Sequence, residues 1–207
     1  RPAFVKLIVL IAVAIIFVSA AIYVTGHLAG NGEDGGMPPA TAKLIAAIKP
    51  LARGEVAALA VADNAALVPA IKFIDVNGSG KTLVDWRGRL VLLNLWATWC
   101  APCLHEMPAL DRLQARLGSE RFEVVTINVD KGGPEKGLAF FEDMDLQNLS
   151  YFYDNSSEKI FRQIRAFGMP TTLLIDGTGR EVARMAGPAE WDSENAVTLI
   201  EAALAAQ

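Results

Sequence analysis

Apolar residues follow three rhythms along this chain. The first is an unbroken run, Leu7 to Val24 (LIVLIAVAIIFVSAAIYV), eighteen residues without a charge. Extended back to Phe4 it contains a single charged residue, Lys6. At about 1.5 Å per residue such a helix spans roughly 30 Å, the thickness of a bilayer's hydrocarbon core. Arg1 and Lys6 precede the run, and the first charges after it are Glu33 and Asp34. The basic end is expected to stay in the cytoplasm, with the rest of the chain outside. Val18-Ser19-Ala20 offers a rival reading as a signal-peptide cleavage site. The run continues through Val24, longer than a usual signal core, which favours an uncleaved anchor over residues 1–24. The stretch Gly26 to Pro39 (GHLAGNGEDGGMPP) holds five glycines and two prolines, so residues 25–40 read as a flexible linker.

The second rhythm is helical. Leu44, Ile45, Ile48 and Leu51 recur at helix spacing, and Pro50 and Gly54 interrupt them. Residues 41–68 are therefore expected to form two short helices, either packed on the main domain or spacing it from the membrane.

The third rhythm alternates short apolar runs with helical ones, over residues 69–207. IKFIDVNGSGK reads as a strand and a Gly turn, TLVDWRGR as a loop, and LVLLNLWAT as a central strand buried on both faces. A helix is expected from about Cys100 to Leu117, then a second buried strand, FEVVTINVD. Leu138, Phe141 and Met144 predict a helix over Pro134 to Asp145, with SYFYD a strand after it. Ser156 to Arg165 reads as a helix, TTLLIDGTGREVARMAG as an antiparallel hairpin, and Trp191 to Ala206 as a closing helix. The order predicts an α/β fold with a mixed central sheet flanked by helices.

Composition changes this picture little. The net charge is −4 and no basic patch stands out, so nucleic-acid binding has no electrostatic support.

The chemistry concentrates in LWATWCAPCLHEMP, which holds both cysteines of the chain, Cys100 and Cys103. At i and i+3 in a first helical turn, two Cα atoms lie about 5–6 Å apart, which suits a disulfide. So short a loop removes little entropy from the unfolded chain, so the bridge is a poor staple. Structural zinc needs four ligands, and the chain offers two cysteines and two histidines, one of them His27 in the linker. A copper site would want a distal histidine, and none follows His105. No metal site is therefore expected. A working thiol couple has positive support. At a helix N-terminus free N–H groups and the dipole stabilise a thiolate, lowering its pKa from about 8.5 towards 7 or below. Cys100 is then the attacking thiol, and Cys103, one turn in, resolves the mixed disulfide. Pro102 stiffens the turn, and Trp99 forms part of the surface around the attacking sulfur.

Glu106 follows Cys103 by three positions, on nearly the same helix face. Facing inward it would be a buried carboxyl able to relay protons to Cys103; facing outward it is a surface glutamate. His105 falls on another face, and Pro108 is expected to kink the helix. Downstream, Gly168-Met169-Pro170-Thr171-Thr172 precedes a strand. Proline is tolerated at a strand start, and a cis Met169–Pro170 bond would expose the Met169 backbone to an extended substrate segment.

FIDVNGSGKTLVDWRGRLVLLNLWATWCAPCLHEMPAL, with GMPTTLLIDGTGR downstream, closely resembles the membrane-anchored thioredoxin-like proteins of the TlpA/ResA/CcmG type. The resemblance covers about Ile71 to Ala206. It implies a thioredoxin fold, Cys100 as nucleophile, Cys103 as resolving thiol, Glu106 as proton relay and Pro170 as the cis-proline. It also implies an insertion at roughly Pro134 to Tyr153. Cytosolic thioredoxins carry a buried aspartate in the strand before the motif, where this chain has Asn94.

The resemblance further implies a bacterial thiol–disulfide oxidoreductase held in the inner membrane by residues 4–24, with its catalytic domain in the periplasm. Trp99, Pro102, Met169 and Pro170 would contact the client. The implied clients are cysteine pairs in apocytochromes c or in copper proteins of oxidase assembly, with an upstream membrane thiol donor re-reducing the pair. No cofactor beyond the Cys100–Cys103 couple is implied. A reductant's potential would lie nearer about −270 mV than about −120 mV, a gap of roughly 7 kcal/mol. The alternatives are an oxidase or isomerase on the same fold, and a metal-binding assembly module whose thiols hold copper.

Overall fold

The computed structural model describes residues 37–154 and 157–207. The expected anchor over residues 4–24 lies outside them, as does the linker up to residue 36. Among the described residues no helix is long and apolar enough to cross a membrane.

The described chain starts with helix α1 (Pro39–Ile48), which has Pro39 in its first turn, where a missing N–H does no harm. Leu44, Ile45 and Ile48 form its buried face. The second short helix expected after it does not form. Two 3-10 turns, Lys49–Leu51 and Gly54–Val56, take its place. Pro50 and Gly54 leave no stretch long enough to propagate a helix. The chain then extends as strand β1 (Ala60–Val61), which the sequence pattern does not predict.

Strands β2 (Lys72–Asp75) and β3 (Gly80–Thr82) form a hairpin. Asp75 closes its turn by accepting from the N–H groups of Asn77 and Ser79, and Gly78 supplies the positive φ of 77°. The expected loop TLVDWRGR contains a 3-10 turn, Leu83–Trp86, started by a capping box between Thr82 and Asp85.

Strand β4 (Leu90–Trp96) is buried at every position, as a strand covered on both faces must be. Helix α2 (Ala101–Leu117) follows and runs through Pro108 as one element. Next come β5 (Phe122–Asn128), α3 (Glu135–Asp143), β6 (Ser150–Tyr153), α4 (Ser157–Ile164), β7 (Thr171–Ile175), β8 (Glu181–Ala186) and α5 (Glu194–Ala206).

Among the described residues, one eight-stranded mixed sheet joins the strands in the order β1-β8-β7-β4-β5-β6-β2-β3. β4 pairs parallel with β5 (Leu93 opposite Val125) and antiparallel with β7 (Leu93 opposite Leu173). This is the thioredoxin-like arrangement that the resemblance implies. The segment expected as an insertion, roughly Pro134 to Tyr153, forms α3 and β6. Phe140 and Phe141 of α3 and Tyr151 of β6 pack around the buried indole of Trp96, at centroid distances of 5.3, 5.6 and 6.4 Å. They anchor the strand end that leads into the cysteine motif.

Residues 37–207 form a single compact unit. Residues 41–68 therefore pack onto the domain rather than standing off from it. α1 lies against α5 and β8, and the Thr41 hydroxyl donates to the buried Asp176 carboxylate. β1 pairs with β8, Ala60 opposite Arg184 and Val61 opposite Ala183.

Candidate active site at Cys100 and Cys103

The turn Ala97 to Cys100 carries the chain from β4 into α2. Asp130, just past β5, pins it: both carboxylate oxygens accept from the Thr98 N–H at 3.2 Å, and Asn128 donates to one of them at 3.0 Å. Asp130 is only 4% exposed. Asp130→Ala would leave a part-buried donor unpaired and is expected to lower stability by about 1–3 kcal/mol. A thermal melt measures the loss.

Cys100 is the N-cap of α2 rather than its first helical residue. This improves its position for thiolate chemistry, because the Cys103 N–H points at its Sγ at 3.3 Å. The free N–H groups of the first turn supply partial positive charge there. Cys100 and Cys103 are joined as a disulfide with Cα atoms 5.3 Å apart. Cys103 is fully buried, and Cys100 keeps a 6% exposed edge. Only the first sulfur can therefore meet a partner.

That edge opens into a groove of about 490 Å³ lined in part by Trp99, Cys100, Pro102, Phe161, Phe167 and Met169. None of the described residues lining it carries a charge. Trp99 is 67% exposed and Phe167 is 99% exposed. The Met169–Pro170 peptide is cis. The Thr171 hydroxyl donates to the Gly168 carbonyl at 2.7 Å, and the Gly187 N–H donates to the Pro170 carbonyl at 2.9 Å. The groove thus unites Trp99, Pro102 and Met169, and Pro170 is buried beside them.

Glu106 faces inward and is 1% exposed. Asn94 Nδ2 donates to its Oε1 at 2.7 Å. The Ala189 N–H and the Trp191 indole N–H donate to Oε2 at 3.1 and 3.2 Å. Burial outweighs these three donors and pushes the Glu106 carboxyl up from 4.5 to about 7. Asn94 also donates to the Thr172 hydroxyl at 2.9 Å, while its own Oδ1 finds no partner among the described residues. His105 is exposed on another face of α2. Among the described residues no three His, Cys, Asp or Glu side chains group as metal ligands.

Sequence reading does not single out Phe167, Asp130 or Trp191. Phe167 carries one usable signal, an aromatic residue three positions before the cis-proline. Trp191 reads as an ordinary apolar start to the closing helix, because its partner lies 85 residues away.

Comparison with known proteins agrees with this geometry. Residues 62–200 match the Redoxin family. The thiol-disulfide oxidoreductase ResA of Geobacillus thermodenitrificans is 32% identical over 129 residues, 61% of this chain and 69% of that protein. A DsbE-type thiol:disulfide interchange protein from Chlorobium tepidum superimposes with a TM-score of 0.61 at 28% identity, covering 69% of this chain and 98% of that one. A secreted thiol-disulfide isomerase of Corynebacterium glutamicum, at 24% identity and a TM-score of 0.59, covers 70% of this chain and 92% of its own and shares the fold. The chain belongs to the Redoxin family, as a thioredoxin-like thiol–disulfide oxidoreductase of the TlpA/ResA/CcmG type.

Proposed function

We propose that this chain is a membrane-anchored periplasmic reductant of client cysteine pairs, tethered through residues 4–24. The observation that supports the thiol-exchange part of this reading is the asymmetry of the couple: Cys100 at the N-cap of α2 with an edge in an open groove, Cys103 wholly enclosed. In the reduced chain the Cys100 thiolate attacks one sulfur of a client disulfide. A Cys100–client bond forms and the client's other sulfur leaves as thiolate. Glu106 takes the Cys103 proton, and the Cys103 thiolate attacks Cys100 Sγ. The second client sulfur leaves, the client gains two electrons, and the chain is left as the Cys100–Cys103 disulfide. Trp99, Pro102 and Met169 hold the client segment, and the buried Pro170, through its cis bond, sets the Met169 backbone against it.

The clients are cysteine pairs in apocytochromes c or in copper proteins of cytochrome oxidase assembly, and an upstream membrane thiol donor returns the electrons. No metal and no cofactor beyond the couple takes part. The charge-free groove supports capture of an extended segment with apolar flanks. The helix position of Cys100 supports a stabilised thiolate.

Cys103→Ser expressed in the periplasm is expected to hold its client as a mixed disulfide through Cys100. Non-reducing gels and mass spectrometry identify the captured protein. Absence of any Cys100-linked species defeats the client assignment. A couple with a potential above about −150 mV defeats the reductant direction and leaves an oxidase or isomerase.

A further inference from the structure

Glu106 has two oxygens in different surroundings. Oε2 accepts two N–H groups, from the Ala189 backbone and the Trp191 indole. Oε1 accepts one, from Asn94, whose Oδ1 is buried without a partner among the described residues. A carboxyl proton cannot sit where two N–H groups already point. On Oε1 it has an acceptor available. A half-turn of the Asn94 amide brings Oδ1 round to receive it, and the Thr172 hydroxyl, now an acceptor from Asn94, can turn to donate. Packing holds the indole in place, since Trp191 is 1% exposed and sits just before the start of α5.

We propose that Trp191 is a positioning residue for the thiol chemistry: its indole N–H, together with the Ala189 N–H, saturates Oε2 of Glu106 and so confines the relayed proton to Oε1. The inference deepens the relay reading of Glu106 and rests on it for its kinetic part only. Of the elements around Glu106, β4 and β7 bring the neutral Asn94 and Thr172. The segment before α5 brings Glu190, and α2 brings the cysteine pair, which does not titrate while oxidised.

Trp191→Phe keeps a ring and deletes the N–H. A second variant places β-(3-benzothienyl)alanine at position 191, which keeps the bicyclic shape and lacks the donor. In the oxidised full-length protein the Glu106 carboxyl is followed by carbon-13 NMR, with Glu106→Gln identifying the signal. Both variants are expected to move its titration midpoint upward by about one pH unit, the loss of one donor to a buried carboxylate. An unchanged midpoint in the benzothienyl variant overturns the proposal, whatever Trp191→Phe does to the melting temperature. In single-turnover exchange, Trp191→Phe is expected to shift the pH–rate profile of the unsubstituted protein and to have no such effect in a Glu106→Gln background. An equal effect in both backgrounds marks Trp191 as packing only. The NMR arm involves no client, so it stands or falls apart from the client assignment.

Discussion

Replacing Cys100 with serine is expected to bring insulin reduction by dithiothreitol down to the uncatalysed rate, a loss of about 10³-fold or more. A serine hydroxyl in the same place accepts the same Cys103 N–H, so the helix keeps its cap. What disappears is the thiol proposed as nucleophile. The helix N-terminus can stabilise a thiolate, which forms near neutral pH, whereas an alkoxide does not. Cys103 cannot substitute, because no part of it reaches solvent. The melting temperature of Cys100→Ser should stay close to that of the reduced parent protein, since neither carries the bridge and the serine keeps the helix cap. Stopped-flow exchange and a thermal melt together separate lost chemistry from lost fold. Substantial remaining exchange would mean that Cys103 is accessible, and the order of attack would have to be reversed.

Glu106→Gln is expected to do two opposite things. It slows resolution of the mixed disulfide by about 10²-fold, the scale of a lost proton-transfer group. It also stabilises the oxidised protein at neutral and alkaline pH. The sign follows from the direction of the shift. The folded carboxyl titrates at about 7, above its ordinary 4.5, so the native state holds the proton more tightly than the unfolded chain. Stability from this group is complete below pH 4.5 and is lost as pH rises to 7 and beyond. A span of that size corresponds to about 3 kcal/mol. The glutamine variant does not titrate there and keeps its stability. Subtracting the two denaturant-unfolding curves at pH 4 and pH 8 isolates the contribution, because every other titrating group is common to both. A difference that does not grow with pH would place the carboxyl in a wetter environment than its contacts indicate.

Much of the fold and the site is legible in the sequence, because it depends on local chemistry. The apolar run of β4, the turn residues of the two hairpins and the position of Cys100 at a helix start all follow from neighbours along the chain. The inward face of Glu106 is legible only as an alternative. Spacing from Cys103 allows it, but the sequence cannot say which helix face the sheet covers. Trp191 and Asp130 are not legible, since each acts on a partner brought near only by tertiary folding. β1 escapes for another reason. Ala60 and Val61 are too few to make a period, and their strand state comes from β8 alone.

That small strand has a consequence beyond its size. β8 without a neighbour would present a row of free N–H and C=O groups to any extended peptide, including a second copy of the chain. β1 occupies that row, and the chain after it continues the cover by pairing Leu67 with Arg180. At the far margin β3 is only three residues long and carries Lys81, which discourages pairing. With one margin covered and the other short and charged, the sheet offers little purchase for a strand of another chain to extend it.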